Sequence, residues 1–196
     1  MYRAVVDAVA AVKRAGNDPE RQRAAHKLWR LAHADAANRD AIREAGGIPP
    51  LVALIWSGRA DVKYYATGAL RSLARNNAEN KVAIRQAGGL GALVSTIDDG
   101  DVVKTAAAST LWQLSYDNDE NAVATALARG RIEAIVELAR RGSVRVGGEL
   151  VVANAGAAVK RKATLVVATL FRDCVGSAVP YDMKTAIASY LYSPRR

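Results

Sequence analysis

Apolar residues recur along this chain at helical spacing, and the recurrence itself repeats. In the segments "AAHKLWRLA" from Ala24, "ATGALRSLA" from Ala66 and "AASTLWQLS" from Ala107, the first, fifth and eighth positions form an apolar stripe. Those positions are Ala24, Leu28 and Leu31; Ala66, Leu70 and Leu73; and Ala107, Leu111 and Leu114. That spacing lays one buried face along a helix. Shorter apolar runs precede the second and third of these and follow the last. "PLVALI" at 50–55, "ALVSTI" at 92–97 and "AIVELA" at 134–139 each predict a short buried helix. Gly46, Gly88 and Gly130 punctuate the pattern at intervals of 42 residues, with Ile48, Leu90 and Ile132 two positions later. Asn38, Asn80 and Asn121 stand at equivalent places, where an Asn is expected to cap the next short helix by accepting from its free amides. Three helices per unit result, and a period of this length is the mark of an α-solenoid.

The phrase "AGGIPPLVAL" at 45–54 and its partner "AGGLGALVST" at 87–96 raise a second reading, a phosphate-binding loop. No Gly-Lys-Ser/Thr follows "GGLG" and no strand pattern precedes it, so a turn between helices is expected instead. Glycine there supplies positive φ, and Pro49 fits the first turn of the following helix. The third copy, "ARGRI", keeps only Gly130 of the pair, which suggests that one glycine makes the turn and the other is replaceable.

The stretch "NRDAIREAGGIPPLVALIWSG" followed by "DVKYYATGALRSLARNNAEN" resembles the armadillo repeat. The resemblance covers most of residues 1–140 and fades beyond them. It implies an all-α, right-handed α-solenoid of about four repeats, the first and last incomplete or atypical, with the third helices lining a concave face. The expected organisation is one domain over residues 1–196. It comprises a partial repeat at 1–37, repeats at 38–79 and 80–120, a repeat with an insertion at 121–174, and a capping helix at 175–196. Residues 1–16 fit the register as a second helix of a truncated repeat, against the alternative of a transit peptide. The insertion near 142–158, around "GSVRVGGELVVANAG", is open between hairpin, loop and extra helical turn.

In importin-like members of the family, the resemblance implies a tryptophan and an asparagine four residues apart on each third helix, holding an extended peptide. This chain departs from that pattern. The tryptophan positions hold His26, Gly68, Ser109 and Leu165, and the asparagine positions hold Arg30, Ser72, Gln113 and Thr169. Extended by a turn each way, the same face carries Arg23, His26, Arg30 and His33, then Tyr65, Ser72 and Arg75. Ser109, Gln113 and Tyr116 follow, and finally Lys162, Thr169 and Arg172. The row is basic at its ends and polar in the middle, closer to the β-catenin-like grooves that accept acidic extended segments. Arginine pairs well with carboxylate or phosphate. The plain alternative is the solvated face of a basic protein.

Composition narrows the field further. The chain has 196 residues, 51% hydrophobic and 24% charged, with a net charge of +9. That length supports a sizeable core, and the charge favours anionic partners. Nucleic acid is not expected, because no cluster of basic residues interleaves with aromatic stacking platforms. Cys174 is the single cysteine, which points to a reducing, cytoplasmic setting and leaves nuclear, ciliary and organellar complexes open. No segment reaches the ~18 apolar residues of a membrane span, so membrane insertion is not expected. Nor is a metal or cofactor. His26 and His33 share a helix face but have no further ligands beside Asp35. "IDDGD" at 97–101 lacks the spacing of a calcium loop, and Cys174 has no evident base. No catalytic constellation is present, so the chain is expected to be non-enzymatic. Its expected role is that of a scaffold or adaptor binding the acidic or extended segment of another protein. The alternative is an accessory subunit of a larger assembly, in contact through its insertion, edges and basic surface.

Overall fold

The computed structural model describes residues 2–96, 99–116, 118, 120–121, 124–125, 144–146 and 149–152. The chain divides into two compact units, Met1–Leu114 and Ser115–Arg196. The described helices are α1 (Tyr2–Arg14), α2 (Asp18–Ala34), α3 (Ala36–Glu44), α4 (Ile48–Ser57), α5 (Ala60–Ala74), α6 (Ala78–Gln86), α7 (Gly89–Ser95) and α8 (Asp101–Ser115). The order α3-α4-α5 repeats as α6-α7-α8, and α1-α2 supplies the second and third helices of a preceding unit. The fold is an α-solenoid of three-helix repeats, as the periodicity predicts. The stripe positions Leu28, Leu70, Leu73, Leu111 and Leu114 are fully buried, together with Val5 and Ala8 of α1. Tyr2–Arg14 therefore forms a helix whose apolar stripe is buried.

The predicted glycine turns are built as expected in part. Gly46 and Gly88 adopt φ values of +69° and +79°. The amide of Gly46 donates to the Arg43 carbonyl at 2.9 Å, and that of Gly47 to the Ile42 carbonyl at 2.8 Å. This pair of reversed hydrogen bonds closes α3 with a left-handed residue after its last turn. The second glycine is not replaceable, contrary to the expectation from "ARGRI". A Cβ on Gly47 would lie 2.7 Å from Ile42 Cγ2 and 3.0 Å from Val9 Cγ2, and one on Gly89 would lie 2.6 Å from Ile84 Cγ2. The first glycine provides the backbone conformation, and the second lets α4 or α7 start against the preceding aliphatic side chain. Gly47→Ala should thus cost about 1–3 kcal/mol through overpacking, read as a lowered urea midpoint. An unchanged midpoint would show that Ile42 and Val9 yield freely.

The helix starts correct another expectation. The caps are Asp35, Asn77 and Asn118, whose carboxylate or amide oxygens accept from the amides of Ala37, Asn80 and Asn121 at 3.0, 2.9 and 2.9 Å. Asn38 and Asn80 stand three residues inside and are buried. Their side-chain amides donate backwards, to the carbonyls of Leu31 and Leu73, both at 3.0 Å. Each thereby satisfies a carbonyl left open at the end of the preceding third helix. Sequence spacing located the asparagines but not the direction of their bonds, since an Asn near a helix start can equally cap or reach back.

At the start of α2, Asn17 accepts from the Glu20 amide and Glu20 accepts from the Gly16 amide, both at 3.0 Å, a reciprocal cap. The Gly16 N–H, then the Asn17 side chain, hold the Glu20 carboxyl below its ordinary value, with Arg23 assisting and desolvation opposing. A depressed folded-state pKa means that the stabilisation is present above the unfolded value and fades as pH falls through the folded one. A carboxyl-detected NMR titration should place Glu20 below an unfolded-peptide glutamate; a coincident midpoint would remove the reciprocal cap.

The insertion resolves in favour of a hairpin. Strands β1 (Val144–Val146) and β2 (Glu149–Val152) pair antiparallel, with Val146 opposite Glu149 and an irregularity between Val144 and Arg145. The proposed capping helix from 175 lies outside the described residues.

Candidate peptide-binding face

Helices α2, α5 and α8 carry the predicted row. Helix spacing places Arg23, His26, Arg30 and His33 along α2, where they line one open depression together with Lys27 and Trp29. His26 does not stand free. Its ring lies 4.8 Å from that of Tyr65 and 5.8 Å from that of Trp29, and Trp29 in turn meets Tyr64 edge-on at 6.2 Å and 78°. The four rings bridge α2 to α5. Trp29 is a packing residue, as expected from its place beside the stripe, and Gly68 makes the packing possible. A Cβ at Gly68 would approach the indole to 3.3 Å. The tryptophan position of the second repeat is thus a glycine because the tryptophan of the preceding repeat lies over it.

A second, more enclosed cleft of about 250 Å³ runs between α2, α5 and α8. It gathers His33, Ser72, Arg75 and Gln113 from the predicted set, and adds Arg71 and Thr110, which the row did not include. Arg75 is partly engaged, because its Nη2 donates to the His33 carbonyl at 2.9 Å and so closes the C-terminal end of α2. Ser109 is half-buried on α8. Tyr116 is exposed and belongs to the second unit. Lys162, Thr169 and Arg172 lie outside the described residues. The missed Arg71 carried a sequence signal, since it stands one turn before Arg75 on the same helix.

The charges of the two sides of a repeat are arranged differently. On the first helices, Arg43 is surrounded by Asp40 at 3.3 Å, Glu79 at 2.8 Å and Glu44 at 4.0 Å. On the third helices, Lys27, Arg30 and Arg71 have no ion-pair partner among the described residues, and neither depression has an acidic residue among its described lining. Cations concentrated without counter-charges produce a positive potential that attracts anions. Among the described residues no group of three His, Cys, Asp or Glu could hold a metal ion. No helix among them is long and apolar enough to cross a membrane.

The repeat architecture defines a class, the three-helix α-solenoids, and comparison with known proteins narrows it. Residues 35–75 match the profile of the Armadillo/beta-catenin-like repeat. An engineered protein of known structure is 26% identical over 95% of this chain and 67% of its own, with a TM-score of 0.62. Another engineered protein is 25% identical, and the chain spans only 41% of its length. A designed armadillo repeat protein solved in complex with the peptide (KR)4 superposes at a TM-score of 0.60, with 21% identity over 95% of this chain and 70% of the designed one. The armadillo repeats only protein from Plasmodium falciparum gives a TM-score of 0.51 and 22% identity, over 85% of this chain and 66% of its own. A search of curated proteins gave no significant match. Residues 35–75 carry the armadillo motif, and the described helices have the fold of armadillo-repeat solenoids, a kind that serves as a scaffold for binding proteins and peptides.

Proposed function

We propose that this protein is a non-enzymatic adaptor that holds an acidic, extended segment of a partner protein across α2, α5 and α8. The observation that carries this reading is the cationic set Lys27, Arg30 and Arg71, without ion-pair partners or acidic lining residues among the described residues. The tryptophan and asparagine ladder that would grip a basic peptide is replaced here, and a basic segment would meet like charge. Carboxylates would instead find guanidinium forks able to bind them in pairs of hydrogen bonds. Gln113, half-buried on α8, would contact the backbone of such a segment. The partner is a protein, and the fold offers nothing that favours nucleic acid or membrane over it.

Titration of an Asp/Glu-rich peptide by fluorescence anisotropy at rising salt tests the reading. Affinity should fall steeply with ionic strength, because screening shortens the reach of exposed charges to ~8 Å at physiological salt, while a Lys/Arg peptide of equal length should not bind. Equal binding of both peptides would overturn it.

A further inference from the structure

We infer that the cleft between α2, α5 and α8 is a recognition pocket for the side chain of a phosphotyrosine in the bound segment, an inference that rests on the acidic-segment reading and sharpens it. At about 250 Å³ the cleft falls just below the ~300 Å³ at which pockets for whole small-molecule ligands begin. Its size suits a single side chain. One wall is aromatic, formed by the Trp29 indole and the Tyr64 phenol in edge-to-face contact. The indole is fixed by its seat over Gly68, so the wall is preformed. An aryl ring entering here gains ring-to-ring contact beyond its buried area.

The lining is also cationic. Arg71 and Arg75 stand one helical turn apart, and the described lining holds no carboxylate to neutralise them. The bond from Arg75 Nη2 to the His33 carbonyl orients this guanidinium in advance, which lowers the entropy lost on binding. Its other donors have no partner among the described residues. A phosphate monoester brings a charge of about −1.5 to −2 and three acceptor oxygens, enough to engage both guanidiniums at once. A carboxylate brings one charge and two oxygens. Ser72 and Gln113 add polar contacts beside them, whereas the Thr110 hydroxyl is already donated to the Ala106 carbonyl at 2.8 Å. Aromatic wall and paired arginines together match a phosphorylated aryl group. Phosphoserine would satisfy the charge and leave the rings uncovered.

The test uses the full chain and four peptides of one acidic sequence, identical except for Tyr, phosphotyrosine, phosphoserine or Glu at a central position. The phosphotyrosine peptide should bind at least about tenfold more tightly than the other three, and Arg71→Gln should remove that preference. Phenyl phosphate should compete at concentrations where inorganic phosphate does not. Because Arg71 is exposed, the variant is expected to fold, and an unchanged thermal midpoint would verify this. Equal binding of phosphotyrosine and phosphoserine, or a preference retained in Arg71→Gln, overturns the pocket and leaves the acidic-segment reading standing. Failure of all four peptides to bind overturns both.

Discussion

Replacing Asn80 by alanine is expected to lower the unfolding free energy by about 3 kcal/mol, a loss on the scale of truncating a buried core side chain. Asn80 is fully buried. Its amide donates to the Leu73 carbonyl at 3.0 Å and to the Arg39 carbonyl at 3.2 Å, and its oxygen accepts from Arg43 Nη1 at 3.1 Å. The first bond closes the end of α5, and the other two reach back into the preceding repeat. Alanine would leave two buried carbonyls without this donor, and desolvated groups so abandoned cost more than the bond itself gained. Asn38, whose side-chain amide closes the carbonyl of Leu31 alone, should cost about 1 kcal/mol in the same change. Urea unfolding of the two variants gives the comparison. Equal losses would mean that the inter-repeat bonds of Asn80 contribute nothing.

The largest expected effect on binding comes from reversing charge on the third helices. Arg30→Glu combined with Arg71→Glu should reduce affinity for an acidic peptide about a hundredfold or more, because each change removes an attraction and introduces a repulsion. Both side chains are exposed, and neither is engaged by a described hydrogen bond or ion pair, so the thermal midpoint should hold. Arg75 suits this purpose less well. Its bond to the His33 carbonyl couples any substitution there to the stability of α2. Binding by the double variant equal to that of the parent protein would remove this face from consideration.

The elements most legible in the sequence were those set by periodic burial. Leu28, Leu70 and Leu111 disclosed three third helices through spacing alone, and the glycines at 46 and 88 marked where the chain turns. Burial is averaged over many contacts, so a one-dimensional pattern records it well. What depended on a specific neighbour was less legible. The role of Gly47 follows from a methyl of Ile42 and one of Val9, and no local pattern announces such an approach. Asn80 and Arg75 form bonds to residues about one repeat away, at separations of 41 and 42 positions. The repeat length hinted at the vicinity but not at the partner. The candidate face was legible as a basic row, yet its depth was not. Spacing set Arg71 one turn before Arg75, but only the packing shows that Trp29 covers Gly68 and that both arginines line one cleft. The strand pair Val144–Val146 and Glu149–Val152 was one of three open readings, because alternating valines and glycines satisfy several local structures.

The most direct measurement is a backbone-amide NMR titration of the full chain with an Asp/Glu-rich peptide at low salt. Perturbations are expected to concentrate on α2, α5 and α8, around Arg30, Ser72 and Gln113, and to disappear as salt is raised. Perturbations centred on α3 and α6, where Arg43 is already surrounded by carboxylates, or the absence of any, would contradict the third-helix face as the binding surface.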